Sequence, residues 1–447
     1  MQKADNGIHK EYLQLIDSVQ ESFLRHDDKL KRINQEIWSN PELGFEEHKA
    51  QIPSCAFFEA LGSEGYTVRR KCFGLDTSFE VEYSKGTGGV VVAFNAEYDA
   101  LPGIGHACGH NLIATSSIAA FIAAVESMNK LYSAGLSDAF TLRLLGTPAE
   151  ENGGGKTHMI AAGAYEDVDT CLMVHPAGSM GPLEAMGLHG IAAPPVGAFL
   201  ANQKIEVTFT GKPAHASAFP WEGVNALDAA VAAYVNISIL QQQIHPTQRI
   251  HGIISHGGDR PNIIPARTVM NFDIRSTDKQ GLEALEEKVQ GCFKAAAQAT
   301  GCDMEYTKYV YALFAPYVED PRSWSIEYRK ERYLDLKSNM VMCKKYVEAA
   351  KALGNAVWLG GESASPSGAS TDQGNVSCVT PSFHGMFIIP TENGAQPHTP
   401  EFTKYTGTME AYQSCLNAAA GMAIVACQLL ANTALIAQVK EFSDMRQ

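Results

Sequence analysis

A chain of 447 residues exceeds one typical hydrophobic core, so two domains are expected. Hydrophobic residues make up 45% and charged residues 19%, the balance of a folded globular chain and not of a disordered one. The formal net charge of −14 lacks the basic footprint that nucleic-acid binding needs, and an anionic membrane surface would repel it.

No apolar run reads as a membrane span. The longest, residues 418–437, holds Gln428 and Asn432 among small residues and reads as a packed helix. The first seven residues are polar and lack a signal-peptide core. The 10 cysteines form no Cys-x-x-Cys pair and no framework spacing. Free thiols in a reducing, cytoplasmic compartment are therefore expected.

In chain order, residues 10–38 carry helical periodicity and end at Asn40-Pro41-Glu42-Leu43-Gly44. Residues 49–61 read as a second helix, and 67–83 as strand material broken at Gly74. Val90–Ala96 is a β-branched, apolar run that predicts a buried strand. The stretch Glu97–Asn111 follows, dense in Cys, His and acid, and 112–128 continue as a helix. Two more strands are expected at 141–147 and 170–174, with helical segments between them. Strands alternating with helices predict an α/β fold with a mainly parallel sheet and helices on both faces.

The pattern then changes. Strand, helix, strand, strand, helix, strand are predicted at 203–210, 223–243, 249–255, 268–275, 279–299 and 304–311. That order is a ferredoxin-like α+β unit. It divides the chain into a first part at 1–197, an inserted domain at 198–315 and a second part at 316–447. In the last part, 324–353 read as helix, 368–384 as loop and strand, 385–389 as a strand, and 402–434 as a closing helix.

Each sheet strand delivers metal-type side chains at its carboxyl end, where open α/β sheets place their chemistry. The first brings Cys108 and His110, the second Glu150 and Glu151, the third His175, and the late strand His398. Thiolate, imidazole and carboxylate together suit a zinc-like ion. Adjacent glutamates can divide the work, one holding metal and the other taking a proton from water. Taken alone, the glutamate pair could be a solvated helix N-terminus.

Rival motifs fit less well. Gly153-Gly154-Gly155-Lys156-Thr157 ends like a phosphate loop, but Glu150 stands where that loop needs glycine. A nucleophilic Cys108 is disfavoured because clustered glutamates raise a thiol's pKa. No Gly-x-Ser-x-Gly elbow is present.

Five stretches then become recognisable together: Gly-His-Ala-Cys-Gly-His-Asn at 105–111, Thr-Pro-Ala-Glu-Glu at 147–151, Gly-Lys-Pro-Ala-His-Ala-Ser at 211–217, Pro-Asn-Ile-Ile-Pro at 261–265 and Ser-Thr-Asp-Gln-Gly-Asn-Val-Ser at 370–377. Together they resemble the dinuclear-metal aminoacylase/carboxypeptidase family of metallopeptidases and amidohydrolases. Asn111 makes the first stretch similar to the subgroup of β-alanyl-lysine (Xaa-Arg) dipeptidases and p-aminobenzoyl-glutamate hydrolases.

The resemblance implies a zinc-exopeptidase-like catalytic domain interrupted by a lid that also forms a homodimer. It implies metal ligands at Cys108, His110, Glu151, His175 and His398, holding one or two divalent ions. Zinc fits best, with manganese, cobalt or nickel as alternatives. His110 stands where related subgroups carry a bridging Asp. Glu150 matches the general base, and Glu97 an acid that orients a ligand. In the lid, His215 matches a histidine that stabilises the oxyanion. Asn262 and Arg275 match residues that hold the substrate's carbonyl and carboxylate, for which Arg275 has a suitable fork of donors.

The implied reaction is hydrolysis of an amide bond beside a free carboxylate. An acidic chain favours a dipeptide with a basic C-terminal residue. The alternatives are an N-acyl- or aryl-amino-acid substrate of the hippurate or p-aminobenzoyl-glutamate type, or a biosynthetic relative that forms amides. Expected partners are a small-molecule substrate and a second copy of the chain, with no nucleic acid and no membrane.

Overall fold

The computed structural model describes residues 2–151, 153–193, 199–308, 332–360 and 368–444, with side chains from residue 14 onward. The chain divides into two compact units. One comprises 1–195, 337–362 and 375–447, and the other 196–336 and 363–374.

The first unit opens with helices α1 (Gln2–Ser39) and α2 (His48–Glu59). Strands β1 (Thr67–Arg70), β2 (Phe79–Lys85) and β3 (Val90–Ala96) follow, then helix α3 (His110–Ser133). Next come β4 (Phe140–Gly146), α4 (Gly155–Ala161), β5 (Thr170–Ala177), α5 (Gly181–Ala185) and β6 (Gly190–Ile191). The second unit contributes β7 (Ala201–Thr210), α6 (Ala226–Leu240), β8 (Arg249–His256), β9 (Arg267–Ser276), α7 (Lys279–Thr300) and β10 (Asp303–Lys308). The chain closes with α8 (Met340–Ala352), α9 (Gln373–Val379), β11 (Ser382–Ile388), α10 (Pro400–Thr406), α11 (Met409–Ala431) and α12 (Thr433–Asp444).

Seven strands of the first unit form one sheet in the order β1-β2-β4-β3-β5-β11-β6. The central four, β4-β3-β5-β11, run parallel, and the outer strands join antiparallel. Alternate side chains serve opposite faces. Val92 and Phe94 of β3 enter a core with Ile118 and Phe121 of α3 and Met422 of α11. Ala93 between them enters a second core with Met159 of α4 and Tyr165. Helices thus cover both faces, and the fold is α/β with a mainly parallel sheet.

Helices α3 and α11 are long and apolar enough, by length and composition, to cross a membrane, although no such run was expected. Their apolar windows are 94% and 78% buried inside the protein, which is the environment of a core helix.

In the second unit, β10-β7-β9-β8 form an antiparallel sheet. Phe209, Phe272 and Ile274 of that sheet pack on Ala230 and Ala233 of α6 and Leu285 and Phe293 of α7. This is the ferredoxin-like α+β arrangement.

Several elements depart from expectation. Of the helix expected at 324–353, residues 324–331 lie outside the described residues and 332–338 are not helical. Tyr333 pairs with Asn202, and Ser338 with Ser382. The helix begins at Met340, where the Asn339 side chain accepts the N–H groups of Val341 and Met342. Residues 309–311 of the expected last lid strand are also outside the described residues. Residues 368–384 hold a helix, α9, that the loop-and-strand reading missed. The closing helix is three helices. A Cβ on Gly407 would lie 2.4 Å from the Trp38 ring, and Thr399 and Thr408 cap separate starts.

Candidate active site

The parallel order of β4, β3, β5 and β11 places four carboxyl ends side by side. The loop after β3 carries Glu97, Asp99 and Cys108 into His110, the first residue of α3. Gly109 joins the last two. Its φ is 81°, and a Cβ there would lie 2.5 Å from Pro176 Cγ, so only glycine fits. The turn after β4 carries Glu150 and Glu151. His175 lies inside β5, which runs three residues beyond the expected 170–174. The loop after β11 brings His398, whose N–H donates to Ala107 O at 2.8 Å.

These side chains converge. Three groups each keep their ligand atoms within 4.8 Å of one another: Cys108, His110 and His175; Cys108, Glu151 and His398; His110, Glu150 and Glu151. Cys108 Sγ lies 3.3 Å from His175 Nε2. His175 Nδ1 donates to Pro176 O at 2.7 Å, which fixes the tautomer and leaves Nε2 facing the thiol. His110 Nδ1 is 2.8 Å from Asp99 Oδ1. Its Nε2 lies 3.5 Å from Glu97 Oε2, 3.9 Å from Glu151 Oε1 and 4.0 Å from Glu150 Oε2. His398 Nε2 is 3.3 Å from Glu151 Oε1.

The electrostatics suit a cation. Burial pushes the Cys108 thiol well above its usual range, and Glu151 adds to the effect. A positive ion would favour the thiolate. Burial and the nearby His110 push His175 down to about 4, so it offers a neutral imidazole. Burial opposes charge on both His110 and Asp99, but each favours charge on the other. His110 ends well above its usual range and Asp99 below. Glu97 Oε2 and His110 Nε2 are buried and carry no hydrogen bond to a described residue. Sulfur, nitrogen and oxygen donors, with buried Glu97 and His110 atoms left unpartnered, fit a divalent metal ion, which would displace the proton from His110 Nε2.

Asp99, an acid of the Glu97–Asn111 stretch without a role in the sequence reading above, is the group that orients His110. Glu97 lies on the opposite side of that ring and pairs with Lys156 Nζ at 2.5 Å. Lys156 stands out in the sequence only through the phosphate-loop motif, yet it is fully buried at this site. His384, which is not singled out in the sequence analysis, is buried on β11 with its ring 6.1 Å from His175. A position on the strand beside His175 was the available signal for it.

His215, Asn262 and Arg275 belong to the second unit. The exposed His215 accepts the Ser217 and Ala218 N–H groups at Nδ1, at 3.3 and 3.2 Å. The Asn262 carbonyl accepts the Ala216 N–H at 3.0 Å, so these two lie on paired segments. Arg275 is half-buried and donates to Gly368 O and, at 3.3 Å, to Asp273 Oδ2. Two of its donors are therefore engaged within its own unit.

A convergent set of His, Cys and Glu ligands, buried at Cys108 and His110 and open to solvent at His398, beside a second glutamate at the carboxyl edge of a parallel sheet, defines a metallohydrolase type of site. A family model described as a peptidase dimerisation domain matches residues 202–300. The chain is 39% identical over 430 residues to the Xaa-Arg dipeptidase of Mus musculus, covering 93% of this chain and 89% of that protein. The Xaa-Arg dipeptidase of Homo sapiens is 35% identical, with 93% and 88% covered. A solved dinuclear metal binding peptidase from Bacillus subtilis shares the fold, with a TM-score of 0.62 at 18% identity over 92% of this chain and 99% of its own.

The chain belongs to the aminoacylase/carboxypeptidase family of metallopeptidases and amidohydrolases, in the branch of the Xaa-Arg dipeptidases. It is a hydrolase of peptide or amide bonds.

Proposed function

We propose that the chain is a metal-dependent dipeptidase for small substrates with a free carboxylate and a basic C-terminal residue. The observation that carries the hydrolytic reading is the convergence of Cys108, His110, Glu150, Glu151, His175 and His398 at one sheet edge. The basic C-terminal residue is supported by the identity to the two Xaa-Arg dipeptidases. The net charge of −14 would also draw a cationic substrate.

Cys108, His110, Glu151, His175 and His398 would hold one or two divalent ions, with zinc the best match to the donors. An ion held there would supply Lewis acidity and would lower the pKa of water toward about 7. Glu150 takes a proton from the attacking water and passes it to the leaving nitrogen. Asp99 holds the His110 ring with Nε2 turned toward Glu97, Glu150 and Glu151, the orientation in which that nitrogen would be free to hold an ion. His215 would donate to the developing oxyanion, and Asn262 and Arg275 would hold the carbonyl and carboxylate. A reducing, cytoplasmic setting suits ten cysteines that form no disulfide.

Product detection by mass spectrometry tests the reading. The panel holds β-alanyl-lysine, Xaa-Arg and Xaa-Lys dipeptides, hippurate and p-aminobenzoyl-glutamate, each with added zinc or manganese. Cleavage confined to the basic dipeptides is the expected result. Cleavage confined to the aryl or acyl substrates would replace it with an amino-acid amidohydrolase. Net amide formation from free acid and amine would make the chain biosynthetic.

A homodimer through the second unit is part of the proposal. Its edge strand β8 exposes Ile253 (62%), and α6 turns Val231, Tyr234, Val235 and Ile239 outward. A helix apolar on both faces needs a second covering surface. Val235→Glu with Ile239→Glu is expected to yield monomers in sedimentation, and the parent chain a dimer. An unchanged mass would remove α6 from the interface.

A further inference from the structure

The turn that carries Glu150 and Glu151 is gripped from outside by two buried carboxyl groups. Ala149 has a φ of 58°, a left-handed backbone that side-chain-bearing residues rarely adopt. Its N–H donates to Glu47 Oε1 at 2.8 Å. Glu47 comes from the loop before α2 and has no exposed surface. The Ala149 carbonyl accepts the Gly153 N–H at 2.7 Å. Gly44 and Gly153 leave room for the Ala149 methyl, since a Cβ on either would lie 2.8 or 2.0 Å from it. Two residues on, the Glu151 N–H donates to Asp99 Oδ2 at 2.9 Å. Glu150 therefore sits between two grips, Glu47 at 149 and Asp99 at 151.

A buried carboxyl group is expensive to keep. Burial, reinforced by Asp99, pushes that of Glu47 up to about 8. Packing alone would be served as well by an apolar residue. What an apolar residue lacks is an acceptor for the Ala149 N–H.

We propose that Glu47 is a positioning residue for the hydrolysis: it holds the Ala149 peptide in its left-handed turn and so aims Glu150 and Glu151 into the site. This rests on the reading of Glu150 as base and Glu151 as metal ligand. Glu47 touches no reacting atom and acts only through the backbone of the turn.

The test compares the parent chain with Glu47→Gln, Glu47→Ala and the double variant Glu47→Ala/Ala149→Gly. Zinc affinity is measured by competition with a chelator, and kcat and KM on β-alanyl-lysine or an Xaa-Arg dipeptide. Glu47→Ala is expected to weaken zinc binding about 10- to 100-fold, the usual effect of removing a group that orients a ligand. The same variant should lower kcat with KM little changed. Glu47→Gln keeps an acceptor oxygen and should retain most of both. Adding Ala149→Gly to Glu47→Ala should recover most of the loss, because glycine takes this φ without penalty.

Zinc affinity in Glu47→Ala equal to the parent's would overturn the inference. So would a loss that Ala149→Gly leaves unrepaired, which would mark Glu47 as a general structural residue. If Glu47→Ala does not fold, Glu47→Asp withdraws the carboxyl by one methylene and is read the same way. Glu150→Gln separates the two readings: normal turnover there defeats the assignment of the base, while the zinc measurement still decides the role of Glu47.

Discussion

Glu150→Gln is expected to lower kcat by about 10²–10⁴-fold, the share a positioned general base contributes, while the metal content of the protein stays that of the parent. Glutamine keeps the shape of the side chain but cannot take a proton. The metal should stay because Cys108, His175, His398 and Glu151 remain, and each lies in a group of ligand atoms that Glu150 does not complete. Steady-state kinetics beside elemental analysis checks both halves. Turnover within a few-fold of the parent would remove Glu150 from the chemistry. Lost metal would make it a ligand.

Lys156→Met is the second large effect, and it is read in stability. Lys156 and Glu97 are both fully buried, 2.5 Å apart. Methionine fills a similar volume without the charge and leaves the Glu97 carboxylate buried. Breaking one side of a buried pair costs about 3–5 kcal/mol. Denaturant unfolding of the metal-free protein should show that loss. Lys156→Met/Glu97→Leu should recover part of it, because no orphaned charge then remains. A loss well below 1 kcal/mol for the single variant would show that the carboxylate finds other compensation.

The site was legible in the sequence wherever its residues followed strongly patterned strands. Val90–Ala96 is β-branched and flanked by turn residues, so the strand and the loop after it could be placed from the chain alone. His175 was harder. Pro176 argues for a strand end, but β3 pairs only with Thr170, Cys171 and Leu172, so the missing N–H of Pro176 costs β3 no hydrogen bond.

The role of Lys156 was hidden because a buried lysine beside glycines resembles a phosphate loop until its partner across the sheet edge is known. The α9 segment, Gln-Gly-Asn-Val-Ser-Cys-Val, has poor helix formers and is buried nearly all round. It shows no helical period to read, and its tertiary surroundings decide its conformation. The break at Gly407 depends on Trp38, from the far end of the chain, and local pattern carries no trace of such a contact.

The place of β11 between β5 and β6 has a consequence for how the protein is made. A ribosome delivers β5 and β6 early, and the partner that joins them only after the whole inserted unit has emerged. Until then the growing chain exposes an open sheet edge at β5 and has neither β11 nor His398. Closing so long a loop is entropically slow, so the last ligand arrives with the last strand of the sheet. A nascent or truncated chain therefore carries only part of the constellation, and the full set of ligands forms only once synthesis has passed His398.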